Sequence, residues 1–339
     1  MKRTRTTITE IANELGVSPS TVSRALNNHP AISSKTRKAV VNLAKKLDYQ
    51  PNLLALSLLR KKTNNIGVIV PEITSYFFSS IINGIQDMVN PMGINMIISQ
   101  SNESYEEEKK IVQTFTSIQV DGFLISPAVE TKNFDHLHTL VKNGIPLVVF
   151  DRDCEGLIVD KVFVDEYSGA FQAVDYLINS GCKRIAHITG KQNLSTSRHR
   201  LQGYKDALLK HQIPILDDYI VESDGFAPEH GILPTQKLLN LPVPPDAIFT
   251  INDGIAIGTM YVIKNAGIKI PEEISVVGFD DDPHSSYFKP SLSTVWQPTY
   301  EMGILAARLL MKRINTSNDL VKVRIESLFP ELIVRGSSK

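Results

Sequence analysis

With 339 residues, 42% of them apolar, and 36 Lys and Arg balanced by 36 Asp and Glu, the chain has room for about two or three domains with sizeable cores, which excludes disorder as its dominant state. The neutral total hides an asymmetry: residues 1–62 carry twelve basic and three acidic side chains, a surplus of +9, and the other 277 carry 24 and 33, a balance of −9. A nucleic-acid or membrane-surface module on an acidic body is expected from such a split.

The first element expected is a short amphipathic helix over 7–15, because Thr7 and Glu10 have capping-box spacing and Ile8, Ile11, Ala12 and Leu15 share one helical face. Gly16-Val17 breaks it. Ser18 as N-cap and Pro19 at the first helical position start a second helix, whose stripe is Val22, Ala25 and Leu26 and which ends at Asn27-Asn28. A third begins at Ser33, with Val40, Leu43, Ala44 and Leu47 inward and Lys35, Arg37, Lys38, Lys45 and Lys46 left for solvent or phosphate. This is a helix-turn-helix pattern, although any small helical bundle shares the spacing. The second helix adds a chemical signal: Pro19, Ser20, Thr21 and Ser23 are small enough for close approach to DNA, and Arg24 is the one long donor, suited to a bidentate bond to guanine.

Residues 50–62 continue with a helix-start signal at Pro51-Asn52, an apolar run from Leu53 to Leu59, and Arg60-Lys61-Lys62. So short a helix is not stable alone in water. That suits a hinge that orders on DNA and wedges a leucine between base steps in the minor groove, or else a linker packed on the next domain.

From Asn65 onward short Val/Ile/Leu runs alternate with helix-length segments. Strands are expected at 66–70, 94–98, 122–125, 146–150, 161–164, 184–189, 219–222, 247–251 and 275–278. This is the pattern of doubly wound parallel α/β sheets, whose ligands bind beyond the carboxyl ends of the strands. Those ends carry Glu72 with Tyr76-Phe77-Phe78, Ser126-Pro127, Asp151-Arg152-Asp153, Asp165, Asn252-Asp253 and Asp280-Asp281-Asp282. Carboxylates, amides and guanidiniums bond hydroxyls while ring faces cover C–H surfaces, so a polyhydroxylated ligand fits. The paired carboxylates also suit a hydrolase acid and base, and Asp and Asn favour strand-end turns for local reasons alone.

Catalytic signatures are missing: no phosphate loop, G-x-S-x-G, H-E-x-x-H or G-x-G-x-x-G occurs, and the eight histidines show no metal-ligand spacing. No enzyme activity, cofactor or metal is expected. Cys154 and Cys182, 28 residues apart, fit neither a disulfide framework nor a structural zinc site. No apolar run approaches the ~18 residues of a membrane span, and Met1-Lys2-Arg3 leads into polar residues rather than a signal core. A soluble, unprocessed, cytoplasmic protein without membrane contact is expected.

The run Ile8-Thr9-Glu10-Ile11-Ala12, then Gly16-Val17-Ser18-Pro19-Ser20-Thr21-Val22-Ser23-Arg24-Ala25-Leu26-Asn27, Leu47-Asp48-Tyr49-Gln50-Pro51-Asn52 and Ile66-Gly67-Val68-Ile69-Val70-Pro71 closely resembles the LacI/GalR family of bacterial transcriptional regulators. The resemblance covers essentially the whole chain. It implies an all-α helix-turn-helix head (residues 1–49), a hinge and linker (50–62) and an α/β, periplasmic-binding-protein-like core of the type I fold. The first lobe of that core would be 63–164 with 295–323, and the second 165–294 with 324–339. It further implies a homodimer on a near-palindromic double-stranded operator, with Pro19, Ser20 and Arg24 reading bases, and Thr7, Ser18, Thr21, Ser23 and Asn27 on phosphates. Ala55 and Leu58 fall at the hinge positions for the minor groove.

The same resemblance places a small-molecule effector, a sugar or sugar derivative, between the lobes. Its contacts would be Tyr76, Phe77, Ser126, Asp151 and Arg152 from the first lobe, and Arg200, Phe226, Asn252, Asp253 and Asp280 from the second. The chain ends at Arg335-Gly336-Ser337-Ser338-Lys339 without a heptad tail, so a dimer is expected rather than a tail-stitched tetramer. The expected function is a sequence-specific repressor under effector control. A solute-binding protein for sugar uptake or a sugar-modifying enzyme are the alternatives; the basic head and missing signal core oppose the first.

Overall fold

A computed structural model describes residues 6–50, 62–316 and 322–339. The expected hinge contacts Ala55 and Leu58 lie outside the described residues. Two compact units are present, residues 1–63 and 64–339.

In the head, α1 (Ile8–Leu15), α2 (Pro19–Leu26) and α3 (Ser34–Lys46) enclose Ile11, Ala12, Val22, Ala25, Val40, Leu43 and Ala44. The caps follow from the sequence. Thr7 Oγ1 accepts from the Glu10 amide and the Glu10 carboxylate accepts from the Thr7 amide, closing a capping box. Gly16 then takes the left-handed conformation, φ +62°, that turns the chain toward Ser18. Ser18 caps α2 through the Thr21 amide and Ser33 caps α3 through the Thr36 amide.

The body holds two six-stranded sheets. The first contains β1 (Asn65–Val70), β2 (Asn95–Gln100), β3 (Phe123–Ile125), β4 (Leu147–Phe150), β5 (Asp160–Val164) and β11 (Ile325–Leu328), in the order β11-β5-β4-β3-β1-β2, all parallel. The second contains β6 (Ile185–Thr189), β7 (Ile220–Glu222), β8 (Ala247–Thr250), β9 (Ser275–Asp280), β10 (Ser293–Trp296) and β12 (Glu331–Ile333), in the order β12-β10-β9-β8-β6-β7, with β12 alone antiparallel. Both faces of each sheet are covered, which is why the strands are almost continuously apolar. Thus β1 sends Ile66, Val68 and Val70 to one core and Ile69 to another.

Helices α4 (Tyr76–Val89), α5 (Tyr105–Ser117) and α6 (Asp135–Lys142) follow the first strands. The second lobe has α7 (Glu166–Asn179), α8 (Ser195–Lys210), α9 (Ile232–Leu239) and α10 (Asp253–Asn265), and α11 (Thr299–Asn315) returns to the first. The expected lobe boundaries need correction near the C-terminus. Val295 and Trp296 still pair with β9 in the second sheet, and residues 325–328 pair with β5 in the first, so the returning segment changes lobe after β11 and not at 323. The reason is long-range pairing: 325–328 supplies the second partner of β5, while 331–333 pairs with β10.

Helices α4 and α11 meet at glycines. A Cβ on Gly84 would stand 2.1 Å from the Tyr300 carbonyl oxygen, and one on Gly303 2.1 Å from that of Ile81. Backbone therefore lies against backbone, fixed by Thr299 Oγ1–Ser80 Oγ at 2.8 Å and by Tyr300 Oη donating to Asp87. Gly84→Ala should cost about 1–3 kcal/mol by overpacking. Thermal unfolding checks this; an unchanged midpoint would mean that the helix pair separates freely.

Candidate functional site

On the head, Pro19, Ser20 and Arg24 are exposed on α2, and Thr21 and Ser23 are half-buried beside them. The Ser18 hydroxyl lies 2.8 Å from that of Ser20 and 2.9 Å from that of Thr21, so three hydroxyls cluster at the helix N-terminus. Asn27 Nδ2 donates to the Ser23 carbonyl at the other end. The face that results presents short donors, one arginine and the positive end of a helix dipole, which suits phosphate and base edges.

In the body, the strand ends of both lobes converge on a cleft with about 510 Å³ of space. Its lining includes Phe77, Asp151, Arg152, Arg200, Phe226, Asn252 and Asp280 from the expected set. Tyr76 and Asp253 stand instead at an adjoining mouth of about 1090 Å³, shared with Phe77, Phe226 and Asp280. Ser126 is wholly buried and supports the cleft from behind, donating to Asp151 Oδ2 at 2.8 Å.

The polar lining is already bonded in a definite way. Arg152, 6% exposed, forms two bonds of 2.7 and 2.8 Å to Glu103 and a third to the Pro127 carbonyl, and lies 5.5 Å from the Phe226 ring across the cleft. Arg200, 5% exposed, donates to Glu166 at 2.6 Å and to the Ile251 carbonyl, stacks 3.7 Å over Phe279, and reaches Asp280 at 3.9 Å. Burial opposes the charge on both guanidiniums, and the Glu103 and Glu166 carboxylates more than offset it.

Burial pushes Asp151 up to about 6, against the pull of Arg152, and holds Asp280 well above the usual carboxylate range, against Arg200. Both residues sit at positive φ, +64° and +118°, where backbone strain is retained by the surrounding structure.

Two expected contacts have other work. Asn252 Oδ1 caps α10 at the Ile255 amide and one Nδ2 hydrogen holds the Phe226 carbonyl, so this cleft residue also places the Phe226 loop. Asp253, 1% exposed, accepts from Thr294 Oγ1 at 2.6 Å, Ser285 Oγ at 2.8 Å and the Asp282 amide at 2.8 Å. Gly278 makes room for this carboxylate, since a Cβ there would lie 2.1 Å from it. Asp253 thus ties β9, β10 and the 282–285 turn together.

Glu103 and Thr196 line the cleft, and Glu166 and Gln297 bond Arg200 and Asp280; none of the four is among the expected contacts. Glu103 follows β2, which runs to Gln100 rather than 98, and the early end assigned from sequence leaves it out of view. Thr196 lies in the first turn of α8, with no strand-end signal before it. Among the described residues no group of three or more His, Cys, Asp or Glu is arranged for a metal, and no helix is long and apolar enough to cross a membrane.

A three-helix head with an exposed polar reading helix, joined to a two-lobed α/β body with a cleft at its strand ends, defines a DNA-binding transcriptional regulator. Residues 7–52 match bacterial regulatory proteins of the lacI family and residues 174–338 a periplasmic binding protein-like domain. The chain is 36% identical to the probable HTH-type transcriptional repressor ExuR of Bacillus subtilis (strain 168), over 98% of each protein. Among solved structures, the lac repressor dimer bound to operator and the anti-inducer ONPF superimposes with a TM-score of 0.87 at 26% identity, covering 98% of this chain and 99% of that one. The transcriptional regulator CelR in complex with cellobiose gives 0.75 at 28%, covering 98% and 100%. The chain belongs to the LacI family of bacterial regulatory proteins.

Proposed function

We propose that the protein is a cytoplasmic repressor, not an enzyme, that binds a near-palindromic operator as a homodimer and answers to a small hydroxylated effector in the cleft. The observation that carries this reading is the pairing, in one chain, of an exposed polar α2 bearing Arg24 with a cavity lined by both lobes of the body. The lac repressor relative is a dimer on operator, and the CelR relative holds cellobiose. The first supports symmetric DNA binding and the second a saccharide in the cleft. Residues 50–62 serve in this reading as the hinge that carries the effector signal to the head.

Effector binding acts through the relative free energies of two lobe arrangements and not through contact alone. The lobes already touch near the cleft through Asp153 N–Ser195 Oγ at 3.0 Å and the Arg198–Glu155 ion pair. A ligand that gains contacts from both lobes biases that arrangement, and the change passes along α11 to α4 through the glycine contact.

Arg24→Ala should cost about 1–3 kcal/mol on the specific operator and far less on random DNA, because a guanine contact is lost and the phosphate contacts are kept. Fluorescence anisotropy with both duplexes checks this. Equal losses on the two would make Arg24 a phosphate contact.

A further inference from the structure

A further pocket, with about 790 Å³ of space, opens where α4 and α11 meet, and it shares only Tyr76 and Asp280 with the cleft and its mouth. The first lobe supplies Tyr76 and Ser80 from α4 and Tyr300 and Glu301 from α11; the second supplies Asp281, Ser286 and Trp296, with Gln297 at the crossing. Its chemistry differs from that of the cleft. Gln297, 1% exposed, gives Nε2 to Asp280 at 2.7 Å and leaves Oε1 buried with no partner among the described residues. The half-buried Trp296 indole N–H donates to no described residue. Arg335, the one cation of the described lining, is bonded through both terminal nitrogens, to Asp281 at 2.7 Å and to the Leu292 carbonyl. That pair is neutral overall, and burial holds Asp280 toward its uncharged form.

An apolar ligand would leave Gln297 Oε1 unpaired, and an anion would meet Glu301 with the guanidinium already bonded. A ring that covers aromatic side chains with its C–H surface and carries hydroxyls meets both conditions, donating to Gln297 and accepting from the indole. We infer that this pocket is a further sugar-ring subsite, bounded by Trp296, Gln297 and Tyr300 and sharing Asp280 with the effector cleft. The ring is either the second unit of a glycoside whose first unit fills the cleft or a separate sugar. Because its occupant touches α4, α11 and the second lobe together, it adds to the bias on the lobe arrangement. This rests on the cleft being the effector site.

Tryptophan occurs once in the chain, so indole emission reports on this pocket alone. The test titrates the full-length protein with glucose, galactose and mannose, with cellobiose, lactose and maltose, and with adenosine, following acrylamide quenching of Trp296 and calorimetric heat. At least one sugar should shield Trp296 saturably. A linked ring gives one ligand per chain, the disaccharide binding roughly tenfold tighter than its parent sugar; a separate ring gives two monosaccharides per chain, with shielding only at the second. Trp296→Ala should abolish the disaccharide advantage or the second site, and Trp296→Phe should restore most of it. Lobe closure alone would shield the indole without making affinity depend on its ring, so shielding in the parent with the disaccharide advantage or second site retained in Trp296→Ala would overturn the inference. So would sugars that bind without shielding Trp296, shielding by adenosine alone, or no binding by any sugar of the panel. Operator binding measured on the same preparations separates the readings. A sugar that alters operator binding and leaves Trp296 open overturns the subsite and leaves the regulator standing, whereas the absence of sequence-specific DNA binding overturns the regulator itself.

Discussion

Replacing Arg200 by alanine should lower the unfolding free energy of the body by about 3–5 kcal/mol near pH 8, as expected when one partner of a buried ion pair is removed. Glu166, 3% exposed, would lose the guanidinium that bonds it, and Asp280 would lose the positive charge that opposes the effect of its burial, while Asp151, opposed chiefly by Arg152, would lose a smaller one. The effect has a pH signature. Without the guanidinium these carboxyls are held higher still, so the variant takes up protons more readily, and its deficit should shrink as pH falls from 8 toward 5. Urea unfolding at the two pH values measures it. A midpoint equal to that of the parent at pH 8 would show that the carboxylates find other partners.

Asp253→Ala should cost a similar amount, about 3–5 kcal/mol, by a different route and with the opposite pH trend. Three donors lose their acceptor, and two of them belong to Ser285 and Thr294, which are fully buried; each orphaned group costs about 1–3 kcal/mol. Burial raises the Asp253 carboxyl to about 7, against the bonds from Thr294 and Ser285. The folded state therefore binds this proton more tightly than the unfolded chain, and the contribution of Asp253 is complete near pH 4 and declines as pH rises through about 7. The deficit of the alanine variant should accordingly be largest at pH 5 and narrow toward pH 8. Effector binding per molecule of folded protein should survive, because Asp253 is spent on the fold. A variant with parental stability and no ligand response would instead make Asp253 a direct contact.

Much of the architecture is legible in the sequence where local chemistry and burial agree. Thr7 with Glu10, Ser18 with Pro19 and the left-handed Gly16 fix the head, and the parallel strands announce themselves because both their faces are covered. What stays hidden depends on distant partners. The strand 293–296 is four residues long between Pro290 and Pro298, and it becomes a strand only by lying beside β9 and β12. The lobe assignment of 325–328 likewise depends on its pairing with β5.

The site divides the same way. Strand-end placement brings Asp151, Arg152 and Asp280 to the cleft from sequence alone. Whether Arg152 and Arg200 are open to an anionic ligand or already paired depends on Glu103 and Glu166, 49 and 34 residues away in the chain. Asn252 and Asp253 look like ligand contacts by position, and only the structure shows that they also hold the Phe226 loop and the turn after β9.

The opening asymmetry of charge also acquires a physical use. The basic head attracts phosphate and should lose DNA affinity steeply with salt, while the acidic body is repelled by the same duplex. Selecting sites from a random duplex pool with the full-length chain tests this division of labour and the repressor reading together. Enrichment of one near-palindromic sequence, bound less tightly as salt rises and no longer enriched by Arg24→Ala, is the expected result; a pool that stays random, or an enriched site without two-fold symmetry, would contradict it.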